Sequence, residues 1–240
     1  MLKEFDKFCR AKGLRYSLAY GTLLGAIRHK GYIPWDDDVD IIMPLPDIEI
    51  LKKELSSDKL QYVDIDTFKY YDNTFPRICN RDTYNQYGKA LISYGVNFDL
   101  YPVVGAPTNK DDINLFLQHG ANKRKIFKRY QRIRKSIMRR IPVKNFPFFS
   151  QTLKRLRDYA QKYPFNESQV FFHHSGPFEQ FQIYYYDVFK ELVEVDFEGE
   201  KFWATAKYDD YLTKRYGDYM TPPPEDQRHP YHGGEYYWKK

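Results

Sequence analysis

Trp35-Asp36-Asp37-Asp38-Val39-Asp40-Ile41-Ile42-Met43 sets four acids in five residues against an apolar run. Carboxylates at that density repel one another unless a cation compensates them. The β-branched run predicts a strand over 38–43, stopped by Pro44 and Pro46. Side chains alternate along a strand, so Asp36, Asp38 and Asp40 fall on one side while Val39 and Ile41 point to the core. Two or three carboxylates on one sheet edge make a hard-oxygen site suited to Mg²⁺ or Mn²⁺. A calcium-binding EF-hand loop also alternates acids, but it needs Gly at its sixth position and Glu at its twelfth. Counted from Asp36 those positions are Ile41 and Asp47, and that alternative fails. What remains beside the metal reading is an acidic surface turn before a buried strand.

Upstream, Leu14 to Tyr20 reads as a strand running into Gly21-Thr22, and Thr22 to His29 as the helix that this turn opens. Backbone N–H groups at a helix start favour phosphate, and Gly permits close approach. A phosphate cradle beside a divalent-metal site is what phosphoryl transfer requires. Downstream, Val96, Phe98 and Leu100 share one strand face and Asn97, Asp99 and Tyr101 the other. A lone acid in such a strand is costly unless paired or metal-bound, which makes Asp99 a third candidate beside the plainer reading of a satisfied core aspartate.

Further out, residues 2–12 form a short helix closed by Gly13, and Asp47 caps a helix reaching about Leu55. Strands are expected at 62–65, 75–79 and 96–101, a helix near 209–216, and a loop at Pro222–Pro224. The order predicts an α+β chain: one domain over 1–240, with a basic helical insert over 111–165 and a small aromatic C-terminal part.

The chain has 240 residues, 42% hydrophobic and 18% aromatic, which is enough for a core and excludes global disorder. Its net charge of +6 is unevenly spread. Residues 123–162 hold 15 Lys and Arg and the single acid Asp158, or +14, leaving −8 for the rest. A uniformly basic nucleic-acid surface is not what this describes, and nucleic acid is not the expected partner. Within the insert, Ile126, Tyr130, Ile133, Ile137 and Ile141 recur at helical steps, as do Leu153, Leu156, Ala160 and Tyr163. The cations between them, Lys128, Arg132, Lys135 and Arg139 above all, suit an anionic acceptor or membrane surface, against the simpler reading of a solvated face. No run approaches the ~20 apolar residues of a membrane span. The acidic start at Glu4 and Asp6 does not resemble a signal peptide, and two cysteines fit a reducing compartment. His173-His174 and His229/His232 lack Cys partners, which argues against structural zinc. Tyr184-Tyr185-Tyr186 fit either a packed core or a cage for a quaternary ammonium.

The ungapped stretch from Tyr20-Gly21-Thr22-Leu23-Leu24-Gly25-Ala26-Ile27-Arg28-His29-Lys30 through Gly31-Tyr32-Ile33-Pro34-Trp35 to Asp40-Ile41 resembles the signature of the LicD family. That family comprises phosphocholine transferases of bacterial surface glycans and is related to fukutin-type ribitol-phosphate transferases. The resemblance continues more weakly through Gly95–Val103, Phe197-Glu198-Gly199 and Tyr216–Met220, and least over 123–162. It implies a nucleotidyltransferase fold of the DNA polymerase β type, with Gly21-Thr22 as the helix start and Asp38-Val39-Asp40 as the acid–apolar–acid strand. It implies that Asp38, Asp40 and Asp99 are catalytic and hold Mg²⁺ or Mn²⁺, Asp36 being the alternative ligand. Asp99 would complete a second metal site or help deprotonate the acceptor. Donor phosphate would meet Gly21, Thr22, Arg28 and Lys30, although Arg28 and His29 also suit a helix C-terminus. The implied reaction moves phosphocholine, or another phospho-alcohol, from a CDP-linked donor to a sugar hydroxyl of a glycan or its lipid-linked precursor. The implied setting is a bacterial cytoplasm, at the inner face of the cell membrane. The rivals are a nucleotidylyltransferase acting on a small molecule or RNA, which would release pyrophosphate rather than CMP, and a non-catalytic glycan- or membrane-binding module.

Overall fold

The computed structural model describes residues 1–71, 73–86, 94–137, 142–168, 170–173, 183–184, 188–230 and 235–239. Its centre is a mixed sheet in which β2 (Asp40–Pro44) lies parallel to the long β6 (Asn97–Ala106). The two-residue β1 (Ser17–Leu18) flanks β2, while β4 (Arg77–Asn80) and then β3 (Leu60–Val63) extend the other side. Beyond β4 along the same edge of β6, β7 (Val170–His173) pairs with Val103–Ala106 and carries β8 (Ile183–Tyr184). All pairings except β2–β6 are antiparallel. The expected α+β class holds.

Three helices enclose the first half of the sheet. In α1 (Leu2–Lys12), Phe5 and Cys9 are spaced to face inward, and Gly13, at φ 63°, ends the helix in the left-handed conformation that a Cβ disfavours. The next, α2 (Tyr20–Arg28), begins earlier than expected. Tyr20 takes φ 45°, which breaks the strand after Leu18 and starts the helix at once. The third, α3 (Leu45–Glu54), is capped at Pro44 with Pro46 in its first turn, a place where a missing N–H costs nothing. Asp47 is therefore not its cap. Its carboxylate instead accepts from the Arg15 backbone N–H (2.9 Å), Nε (2.9 Å) and Nη2 (3.1 Å). Leu18, Leu23, Ile41, Ile42, Leu51 and Leu100 meet in the main core.

The basic segment is helical, as expected. Helix α4 (Lys110–Ile137) packs against α5 (Pro147–Ala160), with Phe127, Phe149, Leu153 and Leu156 buried between them. The expected Leu153/Leu156 stripe faces inward. On α4 the stripe is corrected by one residue: Phe127 is buried, whereas Ile126 (52% exposed) and Ile133 (38%) face solvent. Burying the larger aromatic removes more apolar area from water, and Tyr130 serves either phase.

The C-terminal part forms a hairpin, β9 (Leu192–Phe197) and β10 (Glu200–Thr205), followed by α6 (Tyr208–Tyr216). The hairpin turn has φ 54° at Glu198 and 75° at Gly199, the sign pattern of a type I′ turn. The last described strand, β11 (Glu235–Trp238), pairs with β5 (Thr83–Gln86). Neither pairing was among the expected strands.

Candidate functional site

Thr22 is buried in α2, and its Oγ1 accepts the Asp40 N–H at 2.9 Å. That bond fixes the first residue of β2 against the helix start. The strand begins at Asp40 rather than 38, because pairing to β6 starts with Asp40 opposite Asp99. The three acids ahead of it therefore lie in a loop. Asp36 and Asp38 are half-buried and Asp37 is exposed. Val39 and Ile41 face the core as expected, but Asp40 is buried too, 7% exposed.

Asp40 is the electrostatic centre of the site. Burial, then the neighbouring charges of Asp38 and Asp99, push its carboxyl well above the ordinary range, and Asp36 adds to this. Its Oδ1 is buried and has no hydrogen-bond partner among the described residues. Such an atom is costly in a dry interior and is the natural ligand of a hard cation. Among the described residues no three His, Cys, Asp or Glu side chains are drawn together as a metal-ligand set. Asp38 lies close enough for its charge to act on Asp40, and two such carboxylates are a number that Mg²⁺ or Mn²⁺ accepts when other oxygens complete its shell.

Asp99 lies opposite Asp40 and is tied down. Arg77 Nε donates to its Oδ1 at 2.5 Å, and Tyr101 Oη to its Oδ2 at 3.2 Å. The plainer reading, a paired strand aspartate, thus describes its environment, while its register keeps it beside the acid cluster. As expected, Phe98 and Leu100 face the core and Asp99 and Tyr101 the other side; Val96 is exposed.

At the start of α2 the space above Gly21 is taken by Asp36, whose Oδ2 lies 2.1 Å from where a Cβ would stand. The helix start thus meets a carboxylate from the acidic loop. Arg28 and Lys30 lie at the other end of the helix, Arg28 about 10 Å along the axis from Gly21. Arg28 Nη1 donates to the Tyr219 carbonyl (2.7 Å). Burial, and then Arg228, lower its pKa against the opposing pull of Tyr216. Lys30 is exposed at φ 61°, its carbonyl accepting the Glu198 N–H (3.0 Å). The glutamate returns the contact, Oε1 accepting the Tyr32 N–H at 2.9 Å.

Besides Arg77, two cations that the sequence did not single out lie over aromatic rings beside the site. Arg215 of α6 lies over the Tyr20 ring at 5.2 Å, and its buried Nε has no partner among the described residues. Arg228 lies over the Trp35 ring at 5.1 Å, next to Asp36 in sequence. Tyr216, whose pKa is raised to about 12 mainly by burial, also senses Asp40 and Asp36. Nothing local marks these residues; the return of α6 onto α2 brings in Arg215 and Tyr216, and the segment beyond α6 brings in Arg228.

A separate cleft of about 380 Å³ runs between α3 and α5, lined by Lys52, Asp64, Asp66, Phe75, Arg157 and Gln161 among others. Lys52 bonds Asp64 (2.6 Å) and Asp66 (2.8 Å) across it. Lys128 and Arg132 lie on α4, half-buried and exposed. The side chain of Lys135, Arg139, the imidazoles of His173 and His174, His232, and the side chains of Tyr184–Tyr186 lie outside the described residues.

The family model described as "LicD/FKTN/FKRP, nucleotidyltransferase domain" matches residues 13–104, the span from the end of α1 to β6. Over 254 aligned residues the chain is 27% identical to the lipopolysaccharide cholinephosphotransferase LicD of Haemophilus influenzae, covering 99% of this chain and 94% of that protein. It is 55% identical over 38 residues to the human ribitol 5-phosphate transferase FKRP, 16% of this chain and 8% of that one. It is 36% identical over 53 residues to the yeast mannosyltransferase regulator 4, 22% of this chain and 4% of that one. The acids, the Gly-Thr helix start and the strand that receives Asp40 all lie inside residues 13–104, the span in which the chain is similar to the LicD family model.

Proposed function

We propose that this protein transfers a phospho-alcohol group, phosphocholine in the first instance, from a CDP-linked donor to a sugar hydroxyl of a cell-surface glycan or its lipid-linked precursor, releasing CMP. The observation that carries the reading is the buried, partnerless Oδ1 of Asp40 beside Asp38, in the segment shared with the cholinephosphotransferase relative. We read the core as a nucleotidyltransferase fold of the DNA polymerase β type and the whole of 1–240 as one domain, with 111–165 as its insert, working at the inner face of a bacterial membrane.

Asp38 and Asp40 would hold Mg²⁺ or Mn²⁺, with Asp36 as the alternative ligand; the ion would offset the charge of the diphosphate. Asp99 is oriented by Arg77 and Tyr101 and flanks the pair from β6. Arg28 and Arg228, close enough to oppose each other's charge, and Arg215 with its open Nε, would take up the donor phosphates. The amides of Gly21 and Thr22, at the positive end of α2 and about 10 Å from Arg28, would meet the part of the donor diphosphate nearest the acids, with Asp36 turned aside. As the acceptor oxygen bonds the phosphorus that carries the alcohol, the bond from that phosphorus to CMP breaks. The acceptor proton passes to a carboxylate of the cluster and then to water.

The test is mass spectrometry of products from a panel of CDP-alcohols, with Mg²⁺ and a sugar acceptor. CMP and a phosphodiester are expected; pyrophosphate would instead assign nucleotidyl transfer. Asp38→Asn and Asp40→Asn should each lower turnover by at least about 100-fold with the circular dichroism spectrum retained. Undiminished transfer in both variants would remove the carboxylate assignment.

A further inference from the structure

Helix α4 has two apolar faces. One, with Ile113, Phe116 and Phe127, is buried against the body. The other is bare: Leu115 is 50% exposed, Ile126 52% and Ile133 38%. These three are eleven and seven residues apart, which at 100° per residue places them within about 20° of one line along the helix. Exposed Lys125, Arg129 and Arg132 flank that line on one side. No acid occurs between Ile113 and Ile133, and among the described residues no ion pair engages Lys125, Arg129 or Arg132. A solvated helix face of this length ordinarily mixes both signs of charge at i, i+4 spacing and exposes few aliphatics.

We propose that the outer face of α4 lies in the headgroup region of an anionic lipid bilayer, with Leu115, Ile126 and Ile133 entering the acyl boundary and the cations meeting lipid phosphates. No helix among the described residues is long and apolar enough to cross a membrane, so the contact is in-plane. A dissolved polyanion such as RNA would use the cations and gain nothing from the aliphatic line. The inference does not rest on the proposed reaction, and a failed transfer assay leaves it intact.

The full chain should float with phosphatidylcholine vesicles containing phosphatidylglycerol, less so as salt rises, and should not float with phosphatidylcholine alone. Ile126→Asn with Ile133→Asn should weaken partitioning by about 10-fold through lost apolar burial. Arg129→Gln with Arg132→Gln should weaken it by about 30-fold, the effect of two cations at an anionic surface. Equal binding to neutral vesicles would overturn the proposal. So would an isoleucine pair without effect, which would leave a polyanion site, or a vesicle-indifferent dimer that the isoleucine changes dissociate.

Discussion

Two glycines of α2 show how single atoms set the site. A Cβ on Gly25 would stand 2.4 Å from the carbonyl oxygen of Gly31, and backbone must move to make room. A Cβ on Gly21 would meet only the tip of the Asp36 side chain, which can turn away. Gly25→Ala should therefore cost about 1–3 kcal/mol by urea unfolding, as overpacking does. Gly21→Ala should change stability by less than about 1 kcal/mol, because the helix gains from alanine what the contact loses. The proposed cation site requires that added Mg²⁺ raise the melting temperature, and Gly21→Ala should reduce that rise, since its Cβ displaces Asp36. An unchanged Mg²⁺ response would detach Asp36 from the cation site. At this scale the acids were legible in the sequence, because four carboxylates in five residues demand an explanation wherever they fold. Arg77 and Arg215 were not. Arg77 finds Asp99 only through the β4–β6 register, and Arg215 reaches Tyr20 only after α6 has packed.

Helices and strands were recovered where local chemistry decides them. Gly13 ends α1 because its left-handed conformation is encoded in one residue, and the prolines at 44 and 46 separate β2 from α3. The phase of α4 was not recoverable in the same way. Its sequence offers two apolar lines one residue apart, through Ile126 or through Phe127, and the choice is made by Phe149 and Leu153 of a different helix. That choice has a measurable size. Phe127→Ala should cost about 3–5 kcal/mol in urea unfolding, a full core truncation. Ile126→Ala should fall within about 0.5 kcal/mol of the parent, as exposed sites do. The reverse order would restore the sequence-derived phase. The β9–β10 hairpin was missed for a related reason: its turn places a glutamate at positive φ, where Asn-Gly or Asp-Gly would have announced it.

Over the whole molecule, the first forty residues are held by the last fifty. The Tyr20 N–H donates to Tyr211 Oη, Arg28 to the Tyr219 carbonyl, the Thr205 N–H to Ser17 Oγ, and the Tyr32 N–H to Glu198. Contacts of such sequence separation form slowly, because a long loop must close before they return any energy. Trp35 and Trp203, which lie on the two partners of this clasp, should therefore report one refolding rate when each is the sole tryptophan, the others being replaced by Phe. Two distinct rates would show that the N-terminal part consolidates alone. The Glu198 turn adds a consequence for synthesis. A ribosome delivers Asp36 to Asp40 more than 150 residues before the hairpin that pins the loop beside them. The acidic segment and the strand that receives it, β6, are thus both made well before that hairpin, and the last clasp on the loop closes only as the C-terminal part arrives.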